Sequence, residues 1–150
     1  MTLYGTLVLL HVIAAVVGLG ASFAMPFITK FPKTVSQAQF ALRVNKQVEI
    51  LPKIGSLTLL STGLIMGFLH TPLFTEIWFV GSLVIYLAAQ VIVAALIPKQ
   101  MKELEAAVER NEGDALSSDY YAIHKKIDSY SYILHASAVI MIFLMSVKPF

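Results

Sequence analysis

Two histidines, His11 and His135, stand inside long apolar runs, and they are the residues of this sequence best suited to chemistry. An ionisable side chain at membrane depth is costly unless partnered, so it marks a candidate site. His11 lies eight residues after Leu3, roughly 12 Å from that end of its run at 1.5 Å per residue; His135 lies twelve residues before Val147, roughly 18 Å by the same rise. With run boundaries uncertain by a turn, the spacing predicts two imidazoles at one level. Two neutral imidazoles facing each other suit a low-spin b-type haem, each giving one nitrogen to iron while a Thr, Ser or Gln90 holds its other N–H. Another metal, a proton relay, a quinone contact or plain interhelical hydrogen bonding suit the same pair. Small neighbours, Ala14, Ala15, Gly18 and Ser22 near His11 and Ser131 and Ala138 near His135, favour close helix approach or room for a flat ligand.

A second set, Met66, His70 and Met145, falls toward the opposite ends of its runs from the basic loops and offers thioether and imidazole groups suited to Cu(I), with His11 as a further donor and Met141 beside it. Met in an apolar helix is more often a gap-filler. His124, beside Lys125 and Lys126, reads as a residue at the membrane surface that is solvated or meets lipid headgroups. The chain has no cysteine, which removes thiolate zinc, Fe–S clusters, disulfides and covalently attached c-type haem. Phosphate loops, His-Glu-x-x-His, Gly-x-Ser-x-Gly and intramembrane carboxylate pairs are missing too, so whether the chain is an enzyme stays open.

The elements that must hold these residues are membrane spans. Of 150 residues 57% are hydrophobic and 13% charged, far from a soluble domain, and the net charge of +2 does not suit nucleic acid. The first 29 residues carry no Asp, Glu, Lys or Arg, longer than the ~20 needed to cross a ~30 Å hydrocarbon core. No basic residue precedes that run and no good cleavage site follows it, so it reads as a retained span rather than a signal peptide. Spans are expected at about 3–28, 54–69, 77–97 and 129–147, one membrane domain over 1–150, in an all-α, antiparallel four-helix transmembrane bundle. Ten of eleven basic residues fall in the two long connections and none in the 70–76 turn. The positive-inside rule then puts both connections in the cytoplasm, both termini outside, and the chain in the cytoplasmic membrane. Tyr4, Trp78 and Phe150 would form an outer aromatic belt and Tyr130 with Tyr132 an inner one.

Those connections have amphipathic helical patterns. Thr34-x-x-Gln37 has capping-box form, and Val35, Ala38, Ala41, Leu42 and Val48 make a stripe that ends where Pro52 should bend the chain. Met101, Leu104 and Val108 make another on a helix continuing from the third span. Asn111–Asp114 reads as a turn, and Ser118 as the cap of a returning helix with Tyr121, Ile123 and Ile127 facing back. Gly63-x-x-x-Gly67 should pack the second span against a neighbour.

The opening Leu9-Leu10-His11-Val12-Ile13-Ala14-Ala15-Val16-Val17-Gly18-Leu19-Gly20 and the close Phe143-Leu144-Met145-Ser146-Val147-Lys148-Pro149 resemble a family of small bacterial integral membrane proteins of unknown function. The Leu-His of the first span with its glycine-containing face is also similar to HemJ-type protoporphyrinogen oxidases and to the membrane domain of CopD-type copper-resistance proteins. The HemJ likeness implies a haem ligand at His11 alone. It also implies a lysine in the third span, where this chain has none, since Lys99 follows Pro98. Haem b with His11 and His135 is the leading expectation. Copper handling, and an accessory subunit packing on a larger complex through Gly63, Gly67 and the hairpin, are the rivals. Lipid, and a membrane redox partner or a second copy of the chain, are the expected partners.

Overall fold

The computed structural model describes residues 2–149, so Phe150 of the expected outer belt lies outside the described residues. Six α-helices follow one another: α1 (Leu3–Lys30), α2 (Val35–Val48), α3 (Ile50–Leu69), α4 (Ile77–Val91), α5 (Ile97–Glu109) and α6 (Ser118–Val147). A 3₁₀ turn, Thr71–Thr75, links α3 to α4. Four stretches, Leu3–Lys30, Val35–Leu69, Ile77–Glu109 and Ser118–Val147, are long and apolar enough to cross a membrane.

Each expected span lies inside a longer helix, because amphipathic sequence prolongs it beyond the apolar run. α2 and α3 are parted only at Glu49, and Pro52 is the physical reason: it has no N–H for the Val48 carbonyl four residues back. The same effect shapes the third span. Pro98 offers no donor to Ala94, and the chain answers with a π-helical stretch, Ile92–Leu96, that joins α4 to α5 without a break.

Around the bundle α1 packs on α3 and on α6, and α6 packs on α4. Tyr86 of α4 closes the ring by bonding to Ser56 of α3, which leaves α3 and α6 on one diagonal. Along the α1–α3 seam Gly18 meets Gly55 and His11 meets Thr62; along the α1–α6 seam Phe23 meets His135 and Thr29 meets Tyr120. In both seams residue numbers rise on one helix as they fall on the other.

The best-buried apolar cluster is not among the spans. It joins Ala38 and Leu42 of α2, Leu104 and Val108 of α5, and Tyr120 and Ile127 of α6, with Val35, Met101, Leu116 and Ile123 packed on it. The α2 and α5 faces that build it are amphipathic, and burial of such faces from water has a hydrophobic driving force of ~25 cal/mol per Å², which helices surrounded by lipid lack. Both expected stripes are the faces that build it. Thr34 accepts from the Gln37 N–H, and the Gln37 side chain accepts from the Lys33 N–H rather than from Thr34's own. The turn is confirmed, with Gly113 at φ +104°. α6 starts one residue earlier than expected: Ser117, not Ser118, caps it, and Tyr120 faces inward while Tyr121 is exposed.

Candidate functional site

His11 is carried on the α1 stripe Leu7, His11, Ala14 and Gly18, spaced three and four residues apart so that all face α3. Its Nδ1 lies 2.8 Å from Thr62 Oγ1. That hydroxyl has one proton, and it goes to the Thr58 carbonyl at 2.7 Å with Leu59 as a second acceptor at 3.2 Å. Proton accounting therefore assigns Nδ1–H as donor to Thr62, and the lone pair of the neutral ring sits on Nε2. This is the tautomer an imidazole ligand needs, with a helix-anchored hydroxyl fixing the ring. Gly63 borders the ring: a Cβ there would stand 3.5 Å from His11 Cε1, in ordinary contact.

The α1–α3 approach that allows this is set two turns away. A Cβ on Gly55 would come within 2.6 Å of the Gly18 Cα and 3.0 Å of the Ala14 carbonyl oxygen. Only glycine lets the two backbones meet there. Of the expected glycine pair, Gly63 borders His11, while Gly67 packs beneath Phe74 and Phe79 at the 3₁₀ turn. Gly55 was missed because a lone glycine after Pro52 has no partner at four-residue spacing to flag it.

His135 is held differently. Its ring stacks on Phe23 with centroids 3.9 Å apart and planes 9° from parallel. It also lines a cleft with Lys30, Asp128 and Ser131. Phe23 is twelve residues beyond His11 on α1, which is about 18 Å of helix. The expected common depth of the two imidazoles is thus not met. One iron with two imidazole ligands needs donor nitrogens about 4 Å apart, from bonds of about 2 Å each, so His11 and His135 of one chain do not fit the same iron. The depth estimate failed because it measured each helix from its own end, whereas α1 and α6 are offset along their seam.

Met66, His70 and Met145 are not gathered either. Met66 is buried on α3 one turn beyond Thr62, whereas His70 is exposed at the end of α3 and Met145 is 37% exposed on α6, across the diagonal. Among the described residues no group of three or more His, Asp or Glu side chains is placed to hold a metal.

His124 overturns the expectation of a solvated residue: it is 7% exposed. Its Nε2 lies 3.1 Å from Thr29 Oγ1 and its Nδ1 3.3 Å from Asp128 Oδ2. A carboxylate only accepts, so a proton on Nδ1 faces Asp128, while the Thr29 hydroxyl has two partners, His124 Nε2 and the Pro26 carbonyl at 3.3 Å. Tyr120, 2% exposed, donates to the Thr29 carbonyl at 3.0 Å. The Thr29, Tyr120, His124 and Asp128 set clamps the basic end of α1 to α6. Its sequence signal was the i, i+4 spacing of His124 and Asp128 with Tyr120 one turn earlier. A third polar group joins α3 to α4, where Tyr86 Oη lies 2.6 Å from both Ser56 Oγ and the Ser56 carbonyl, and Ser56 donates to Gln90 Oε1 at 3.2 Å.

One family model, described as a predicted integral membrane protein (DUF2269), matches residues 5–149. No curated protein and no solved structure matches the chain.

Proposed function

The chain belongs to the DUF2269 family of predicted integral membrane proteins, and we propose that it binds a b-type haem through His11 in the cytoplasmic membrane, for electron transfer or haem handling. The observation that carries the reading is the Thr62 hydroxyl. It spends its own proton on α3 backbone and accepts from His11 Nδ1, so the free lone pair is on Nε2, half-buried in an apolar span. A haem held there would supply one-electron chemistry. Thr62 orients the ring, and the apolar seam would keep water from Nε2. His135 takes no part in that ligation.

The test is a reduced-minus-oxidised visible spectrum of the detergent-purified protein, with haem supplied during expression. His11→Ala should abolish the haem signal, His135→Ala should keep it, and Thr62→Val should lower haem affinity by about 10- to 100-fold. A protein without a Soret band after haem supplementation, or one whose band depends on His135 and not on His11, would overturn the reading.

A further inference from the structure

We propose that the cleft between α1 and α6 at the basic end of the bundle binds the headgroup of a zwitterionic lipid with a primary ammonium, a phosphatidylethanolamine. It lies nineteen residues along α1 from His11 and does not depend on the haem reading. The cleft has a volume of about 70 Å³ and is lined by Lys30, Asp128, Ser131, His135, Phe27 and Tyr132 among others. A water needs about 10–15 Å³ of such space, so the cleft admits a polar group of several atoms.

Charge decides which group. Lys30 and Asp128 bound the uncharged parts of the first and last spans, so both stand at headgroup level. They line one small cleft yet do not pair with each other: among the described residues the ion pairs are Lys53 with Glu49 and His124 with Asp128. His124 takes Asp128 Oδ2, leaving Oδ1 for another donor. Ser131 is buried and donates its proton to the Ile127 carbonyl at 2.9 Å, so toward the cleft it only accepts. A lipid with a phosphate alone would meet the Asp128 carboxylate. A trimethylammonium head has no N–H to give. Phosphate on Lys30 with ammonium on Asp128 Oδ1 and Ser131 gives each of these three groups a complementary partner. Phe27 is 59% and Tyr132 68% exposed, apolar flanks along which acyl chains can run outward.

Native mass spectrometry of the full chain, exchanged into detergent with equal amounts of phosphatidylethanolamine, phosphatidylglycerol and phosphatidylcholine, tests this. Phosphatidylethanolamine should be retained about fivefold over the other two, one interfacial charge's share. Lys30→Gln, at an exposed side chain outside the packing, should erase the preference; Asp128→Asn should shift it toward phosphatidylglycerol. His124→Gln separates charge from packing, since it disturbs the clamp but leaves the carboxylate, and should keep the preference. Equal retention of all three lipids, or a preference unmoved by both Lys30→Gln and Asp128→Asn, would overturn the proposal. So would displacement by soluble phosphoethanolamine at matched concentration, which would assign the same chemistry to an aqueous ligand.

Discussion

At His11 the chemistry turns on where one proton sits. Thr62 has no second proton to offer, so the histidine must donate to it and keep its lone pair on Nε2. At the other end of α1 the Thr29 hydroxyl stands between His124 Nε2 and the Pro26 carbonyl, and His124 Nδ1 faces Asp128. Thr29→Val keeps the shape but removes the hydroxyl and leaves a buried imidazole nitrogen unpaired. It should cost about 1–3 kcal/mol, read as a melting temperature lowered by about 2–4 °C per kcal/mol in detergent. Thr62→Val should cost less, about 1 kcal/mol, because the His11 ring is only half-buried and finds other contacts; an equal or larger drop would show that the hydroxyl serves structure first. That His11 lay at depth was legible from the uncharged run around it. Which hydroxyl it met was not, since Ser22, Thr58, Ser61 and Thr62 all sit on flanking helical turns of α1 and α3.

The helices themselves follow from local pattern. Apolar length gave the spans, Thr34 and the serines near 117 gave the caps, and Pro52 and Pro98 disrupted the backbone three or more residues before their own positions because each deprives the carbonyl four residues back. The crossing of α1 on α3 depends on Gly55 more than on any other residue. Gly55→Ala would put a methyl 2.6 Å from backbone that has no rotamer to yield. Forcing the seam apart should destabilise by about 1–3 kcal/mol and weaken the His11–Thr62 bond two turns away. By contrast, Gly20→Ala and Gly81→Ala meet nothing within 4 Å and should leave stability unchanged or raised by a few tenths of a kcal/mol through helix propensity. A detergent melting series over the three variants checks the contrast; a Gly55→Ala protein as stable as Gly20→Ala would mean that the seam is looser than described.

Across the molecule the polar groups sit in separate tiers rather than in one site: the His11 pair on α1–α3, the Tyr86 group on α3–α4, and the His124 clamp with its adjoining cleft on α1–α6. Charge is just as unevenly spread, with Lys148 alone among the basic residues at the far end, over the Trp78 ring at 5.1 Å. Our reading that the basic connections face the cytoplasm has a direct check. Cysteines placed at Gly113 in the hairpin and at Thr71 in the short turn should label oppositely with a membrane-impermeant thiol reagent on intact cells, Thr71→Cys reacting and Gly113→Cys protected. Labelling of both, or of Gly113→Cys alone, would invert or break that orientation. The absence of native cysteine gives this assay a clean background.

Composition and period were enough for the membrane, the four spans, the Thr34 cap and the stripes of α2 and α5, because each depends on residues within a turn or two of one another. Depth matching between His11 and His135, the burial of His124 and the meeting of Gly18 with Gly55 depend on how far one helix slides along the next. That slide is set by contacts between residues far apart in the chain, from Gly18 with Gly55 to Phe23 with His135, and no local pattern records it. Tertiary structure alone therefore decided that the two span histidines belong to different sites: α1 and α6 cross with Phe23, not His11, opposite His135.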